Sequence, residues 1–122
     1  VVHESTNIET NGIICCSCNW WIINENKLPI PDQLIFPIIP LPTLESPWIA
    51  ARVEILKYQG RDWFREFLLP ETLGIMLKSV AIIRGKDVRV AILDGRVHGR
   101  SWGKSIVEAL EPWVVLERLL PY

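Results

Sequence analysis

Two short apolar runs set the architecture that the sequence predicts. Gln33 to Ile39 (QLIFPII) is the first, and Pro37 inside it removes a donor from any strand ladder. Val88 to Leu93 is the second, a largely apolar run with β-branched residues at Val88, Val90 and Ile92, which we interpret as a parallel strand that is covered on both faces. We predict that Leu34 to Ile39 and Val88 to Leu93 lie parallel in one sheet.

The N-terminal third predicts one more strand and two irregular connections. Gly12 to Cys18 (GIICCSC) is apolar and suits a buried strand in which cysteine acts as a small hydrophobe. Asn19 to Asp32 is predicted to be a loop. An extended connection follows the next strand, marked by the three prolines Pro40, Pro42 and Pro47.

Three later segments have the spacing of amphipathic helices. The first begins at Pro47 with Ser46 as its cap and ends near Gly60, the second begins at Pro70, and the third runs from Ser101 to Leu110. Their predicted apolar faces are Ile49, Val53 and Leu56; Leu73, Met76, Leu77 and Val80; and Trp102, Ile106 and Leu110. Trp113 to Leu120 is predicted to add a short final helix. This order of elements describes an α/β unit with a mostly parallel sheet flanked by helices.

Composition supports a single folded domain over residues 1–122, in which we expect residues 1–11 to be flexible. The chain has 122 residues, of which 49% are hydrophobic, enough to build a core. Its net charge of −1 argues against a dedicated nucleic-acid binder. No apolar run is long enough to span a membrane, and the first residues do not form a secretory signal. The three clustered cysteines make a poor disulfide framework, so we expect a reducing, cytoplasmic compartment.

The cysteine cluster leaves two alternatives. Cys15, Cys16 and Cys18 could hold a metal ion if His3 or His98 supplied a fourth ligand. Adjacent cysteines on a strand point to opposite faces, however, which favours buried thiols. We therefore predict no metal site.

The segment from Lys78 to Lys104 is strongly basic. It holds seven basic residues and two acidic ones, a formal charge of +5 in a chain whose net charge is −1. The segment could form a phosphate-binding face, or it could be an ordinary solvated rim around a buried strand. The basic residues are Lys78, Arg84, Lys86, Arg89, Arg96, Arg100 and Lys104.

The tryptophans also allow two interpretations. Trp20, Trp21 and Trp63 lie in predicted loops, where exposed rings would stack on bases or anchor a partner protein, and buried rings would fill a small core. Trp48, Trp102 and Trp113 suit the apolar faces of helices and are expected in the core.

Several short motifs occur in an order that resembles the second motor domain of DinG/XPD-like helicases of superfamily 2. They are Ala50-Ala51-Arg52, Phe64-Arg65-Glu66-Phe67, Leu69-Pro70-Glu71, Arg84, the strand from Val90 to Leu93, Asp94-Gly95-Arg96 and Trp102-Gly103. The resemblance covers Asp32 to Leu110 and is weak before it. It implies a small RecA-like half-motor and a role connected with ATP and DNA.

The chain departs from the family pattern at the residues that carry the chemistry. The family motif Gln-x-x-Gly-Arg-x-x-Arg is represented by Lys78-Ser79-Val80-Ala81-Ile82-Ile83-Arg84. Arg84 best matches the second arginine, and the arginine finger that contacts the γ-phosphate is absent. The family has a Phe-Trp-Glu-Gly-x-Asp loop at the position of Asn19 to Ile22. This chain keeps a tryptophan there but lacks the Glu-Gly-x-Asp. No G-x-x-x-x-G-K-[ST] phosphate loop occurs, so we expect no bound cofactor and no ATP hydrolysis by this chain alone.

The resemblance and these departures together predict a degenerate, stand-alone motor domain that serves as a binding module. The expected partners are a protein, such as a first helicase motor domain, or single-stranded DNA bound weakly, and no membrane. Two alternatives stay open: the second half of a split ATP-dependent DNA helicase, and a truncated gene product without a selected role. The candidate residues are Arg84 for nucleotide; Lys78, Arg96, Arg100 and Lys104 for nucleic acid; and Trp20, Trp21 and Trp63 for a protein partner.

Overall fold

The computed structural model describes residues 12–110. The N-terminal segment 1–11 with His3, and the predicted helix from Trp113 to Leu120, lie outside the described residues. In chain order the helices and strands are α1 (Cys18–Asn24), a 3-10 turn (Glu25–Lys27), β1 (Gln33–Phe36), α2 (Pro47–Tyr58), a π-helical segment (Phe64–Leu68), α3 (Leu69–Val80), a 3-10 turn (Ala81–Ile83), β2 (Arg89–Ile92), α4 (Arg96–Gly99) and α5 (Gly103–Ala109). This is a mixed α/β arrangement.

The two strands form a parallel pair, as the sequence predicted. β1 and β2 are hydrogen-bonded neighbours in a two-stranded sheet, with Leu34 opposite Val90 and Phe36 opposite Ile92. A backbone hydrogen bond from the Leu93 N–H to the Phe36 carbonyl, at 2.9 Å, extends the pairing beyond β2. The helices between the two strands provide the crossover that parallel pairing requires.

The sheet is covered on one face by the helices that surround it. Phe36 belongs to the buried core, and Leu34, Val90 and Ile92 pack against that core. On the other face, Ile35 of β1 keeps 47% of its surface exposed, and Leu93, directly after β2, keeps 62%. The expectation that both faces are covered is therefore wrong for the described residues. β-branched residues indicate that a segment favours a strand, but they do not show whether one or both faces of that strand are covered.

The core lies between the sheet, α3 and α5. Met76 and Val80 of α3, Ile83 of the following turn and Ile106 of α5 are at most 1% exposed. The predicted apolar face of α3 is confirmed at Met76 and Val80, and is wrong at Leu77, which is 38% exposed. The third predicted helix is confirmed as α5, and Trp102 at its start packs against the core as expected.

Helix α2 begins with Pro47 in its first turn, as predicted, and the chain turns at Gly60, which has a φ of 70°. The Ser46 side chain makes no capping hydrogen bond, so that prediction is wrong. Val53 is buried, but Trp48 is 67% exposed, against the expectation of a core position. The reason is geometric: five residues of an α-helix turn through about 500°, so Trp48 points about 140° away from Val53.

The N-terminal part differs most from the prediction. Cys15 and Cys16 are exposed, and Cys18 begins α1, so the buried strand over Gly12 to Cys18 is wrong. The loop predicted for Asn19 to Asp32 contains most of α1. A local interaction explains both errors: the Ser17 hydroxyl accepts a hydrogen bond from the Trp20 N–H at 3.1 Å and caps the helix. Serine at this position favours helix initiation over strand pairing.

Candidate nucleic-acid interface

The turn after β2 is held by an ion pair within the sequence Asp94-Gly95-Arg96. The Arg96 Nε lies 2.9 Å from Oδ1 and 3.0 Å from Oδ2 of Asp94, a geometry in which one guanidinium contacts both carboxylate oxygens. The hydrogen bonds from Arg96 and from the Ile39 backbone N–H hold the pKa of Asp94 far below its usual range. The same carboxylate raises the pKa of Arg96. Arg96 therefore serves first to shape this turn.

Arg65 is brought to the loop between α4 and α5 by the fold. Its Nη2 donates a hydrogen bond to the Ser101 hydroxyl at 2.8 Å, across 36 residues of sequence. Ser101 directly follows Arg100, and a hydrogen bond from the Gly103 N–H to the Arg100 carbonyl, at 3.0 Å, closes the turn that leads to Lys104. Arg65, Arg100 and Lys104 are all exposed. We call these three residues the basic face.

The acidic residues near the basic face leave most of its charge available. Asp62 lies 3.6 Å from the Arg65 Nε, but both side chains are more than half exposed, so this pair contributes little. Asp94 is already paired with Arg96. Within residues 12–110, no carboxylate lies within ion-pair distance of Arg100 or Lys104.

A row of three aromatic rings adjoins the basic face. The ring centroids of Trp63 and Phe64 are 6.3 Å apart and nearly perpendicular, and those of Phe64 and Trp102 are 5.3 Å apart. All three rings are partly exposed. Lys57 lies over the Trp63 ring, 5.4 Å from its centroid. Basic groups together with aromatic side chains on which bases can stack are the combination by which proteins bind single-stranded nucleic acids without sequence preference.

Lys78 and Arg84 come from the part of the chain before β2, whereas Arg100 and Lys104 follow that strand. Lys78 is exposed in the last turn of α3, and Arg84 is exposed directly after the 3-10 turn. Arg96 also follows β2. The continuous basic segment of the sequence is thus divided by a strand, and only its second half is joined by Arg65.

The three candidate tryptophans have different positions. Trp21 is buried, and its Nε1 donates a hydrogen bond to the Ser79 carbonyl at 2.6 Å. It therefore matches the alternative in which the ring fills the core. Trp20 is partly exposed on α1, and Trp63 belongs to the aromatic row.

The cysteine cluster is exposed rather than buried, which corrects the expectation of core thiols. Cys15 and Cys16 are exposed and Cys18 is partly exposed. Partial burial, together with the neighbouring thiols of Cys15 and Cys18, raises the pKa of Cys16 and disfavours its thiolate. Across residues 12–110, no group of three or more His, Cys, Asp or Glu side chains is arranged to hold a metal ion.

Arg65 is the residue that sequence reasoning missed. It belongs to the motif Phe64-Arg65-Glu66-Phe67, which is part of the family resemblance, but it lies outside the basic segment from Lys78 to Lys104. The only sequence signal was its place in that motif. Its proximity to Ser101 depends on the tertiary packing of the π-helical segment and could not be obtained from spacing.

Two curated helicases are similar to this chain. The ATP-dependent DNA helicase DinG of Photobacterium profundum is 31% identical over 93 residues, which is 74% of this chain and 13% of that helicase. The ATP-dependent DNA helicase YoaA of Haemophilus influenzae is 25% identical over 105 residues, or 84% of this chain and 16% of that helicase. The chain is helicase-related. It spans less than one fifth of the length of either relative.

Comparisons with protein families and with solved structures do not define the family more narrowly. No protein-family profile matches the chain, and no solved structure matches it significantly. The DinG-like part of the resemblance is thus confirmed, while the second motor domain and the RecA-like fold remain predictions. Within residues 12–110, no helix is both long and apolar enough to cross a membrane.

Proposed function

We propose that this chain is a C-terminal helicase motor domain that has lost ATP hydrolysis and binds single-stranded nucleic acid through its basic face. The observation that carries the proposal is the hydrogen bond from Arg65 to Ser101. It brings the Arg65 guanidinium from a distant part of the chain to Ser101, the residue that directly follows Arg100, and so adds a third basic side chain to this loop. The names of the two relatives, both ATP-dependent DNA helicases, support DNA as the ligand.

Charge on the basic face can act locally even though the whole chain is slightly acidic. The net charge of −1 limits long-range attraction, so binding depends on contacts between individual side chains and phosphates. Each phosphate contact releases counterions and adds to the dependence of affinity on salt. The proposed affinity is therefore weak at physiological salt and rises steeply as salt is lowered.

The aromatic row supplies the second component of the proposed interface. Stacking of a base on an aromatic side chain contributes about 1–3 kcal/mol and tolerates any base sequence. Trp63 is the ring that combines partial exposure with a nearby cation, since the Lys57 Nζ lies 5.4 Å from its centroid. The ligand favoured by this combination is a single strand, since bases in a duplex are not available for stacking.

The loss of ATP hydrolysis is supported by the turn that replaces the arginine-finger motif. Val80 and Ile83 are both 0% exposed and belong to the core. In the family resemblance this segment carries polar side chains toward nucleotide. Here its apolar side chains are committed to packing, and they offer no group that could contact a phosphate.

The test is a titration of labelled single-stranded DNA at low and moderate salt. We compare the wild-type chain with Arg100→Ala/Lys104→Ala and with a control, Lys27→Ala/Lys86→Ala. The control removes the same charge from exposed residues outside the basic face. For single strands the slope of log affinity against log salt changes by about 0.7 per phosphate contact, so the first variant should lose about 1.4 from the slope.

The control should change affinity little and leave the slope near that of the wild type. Equal losses of DNA affinity and of salt slope in the two double variants would show that binding depends on net charge and not on the basic face. No binding at low salt would reject nucleic acid as the ligand and leave a protein partner as the function of the module.

A further inference from the structure

Helix α2 exposes a second apolar face in addition to the one it buries. Trp48, Ile55 and Tyr58 are 67%, 56% and 96% exposed, and Ala51 between them is also exposed. Their positions are separated by three, four and three residues, which places all four along one side of the helix. We call these four residues the α2 stripe.

The stripe is not explained by packing within the described residues. The core side of α2 is formed by Val53 and Leu56, which are 2% and 7% exposed. At about 100° per residue, the stripe lies on the opposite side of the helix from these two. Exposed Trp, Tyr and Ile side chains in a contiguous row are typical of a protein-binding surface.

Opposite charges flank the stripe. At about 100° per residue, Arg52 lies about 80° around the helix from the centre of the α2 stripe, and Glu54 lies about 80° from that centre on the opposite side. The Arg52 guanidinium is held 5.7 Å from the centroid of the Phe67 ring. Glu54 lies 3.5 Å from the Lys57 Nζ, but both side chains are largely exposed, so this contact contributes little. Both flanking charges are available to a partner.

We propose that a second copy of this chain covers the α2 stripe, with the two α2 helices parallel. A two-fold axis along parallel helices sets the Arg52 side of one copy against the Glu54 side of the other, and does so twice. In an antiparallel pair each side would meet itself, so Arg52 would face Arg52 and Glu54 would face Glu54. The charge pattern therefore selects a parallel homodimer, with Ile55 at the centre of its seam.

The dimer is weak because α2 is short. Twelve residues span about 18 Å, so one helix pair buries less than the roughly 800 Å² per partner of a typical stable interface. A dissociation constant in the range of about 10–100 μM is expected. This inference does not depend on nucleic-acid binding.

The test is sedimentation equilibrium of the full chain over a range from micromolar to several hundred micromolar. The average mass of the wild type should rise from monomer to dimer. Ile55→Asp should keep the chain monomeric at every concentration. Arg52→Glu and Glu54→Arg should each weaken the dimer about tenfold, because each replaces two favourable cross-pairs with two unfavourable ones.

The decisive variant is the charge exchange Arg52→Glu/Glu54→Arg, which should restore the wild-type dissociation constant. Thermal unfolding at a concentration where the chain is monomeric serves as the control, and Ile55→Asp should leave the midpoint unchanged. A chain that stays monomeric and loses stability in Ile55→Asp would show that its own terminal segments cover the stripe. A dimer that the charge exchange fails to restore would exclude the parallel arrangement. Either result would overturn the proposal.

Discussion

The backbone N–H of Ile39 donates a hydrogen bond to Oδ2 of Asp94 at 3.1 Å, joining residues 55 positions apart. Ile39 follows β1 and Asp94 follows β2, so the bond ties together the two segments that leave the sheet at the same end. Asp94 also accepts hydrogen bonds from the Arg96 side chain and from the Arg96 N–H, at 3.1 Å to Oδ1. One carboxylate thus fixes the exit of both strands and the start of α4.

Replacing Asp94 with asparagine should lower the melting temperature at neutral pH. An amide loses the charge that faces Arg96 and presents only one acceptor oxygen. A matched control is Asp87→Asn, at an exposed position without a comparable network, which should have little effect. Thermal unfolding of the three proteins followed by circular dichroism provides the comparison.

The stabilisation by Asp94 should also disappear in acid. Because Arg96 and the Ile39 N–H lower the pKa of Asp94 in the folded chain, the stabilisation is complete above the unfolded-state pKa of about 3.9. It is lost as pH falls below that value toward the folded-state pKa. The difference in melting temperature between the wild type and Asp94→Asn should therefore be constant from pH 7 to about 5 and shrink below pH 4. A difference that grows in acid would contradict this role.

The parts of the fold that could be predicted from the sequence are those set by local patterns. The largely apolar run at Val88 to Leu93 and the proline at position 47 correctly indicated a strand and a helix start. The pairing of Arg65 with Ser101 and of Ile39 with Asp94 could not be predicted, because both depend on how distant segments pack. The start of α1 was missed for a different reason: the single hydroxyl of Ser17 outweighed the strand propensity of the run that precedes it.

Trp21 should be a major contributor to stability, since it is buried and its indole N–H is paired with the Ser79 carbonyl. Trp21→Ala should cost about 3–5 kcal/mol of unfolding free energy through the lost burial and the cavity. Trp21→Phe keeps most of the apolar contact but leaves the carbonyl without this donor, so it should cost about 1–3 kcal/mol.

Trp20→Phe is the matched control for this pair, because Trp20 is the partly exposed neighbour on the same helix. It should change stability by about 0.5 kcal/mol or less. Denaturant unfolding monitored by circular dichroism measures all three. Equal effects of the two Phe variants would show that the hydrogen bond to Ser79 does not stabilise the fold.

Gly103 is required by the close approach of α4 and α5. A Cβ atom at this position would lie 1.9 Å from the Val97 carbonyl oxygen, a separation that no side-chain rotation relieves. Gly103→Ala should therefore destabilise the chain by about 3 kcal/mol or more, because backbone must move. Gly74→Ala in α3 is the control: its Cβ would meet nothing within 4 Å, and alanine should raise stability by about 0.5–1 kcal/mol. Opposite signs in the two variants are the expected result in chemical denaturation.

We predict that the chain does not hydrolyse ATP. Arg84 is the residue whose substitution tests this prediction. The sequence has no phosphate-loop motif to cradle the phosphates, and the turn at Val80 and Ile83 is committed to the core. An arginine finger contributes about 10³ to 10⁵ in rate, so even a first motor domain supplied by another chain would gain little here. Arg84, exposed at the end of that turn, is the arginine of the motif that could replace the finger. We expect no phosphate release by the wild type or by Arg84→Ala, with or without single-stranded DNA. Turnover that requires DNA and disappears in Arg84→Ala would show instead that the chain is the second half of a split helicase.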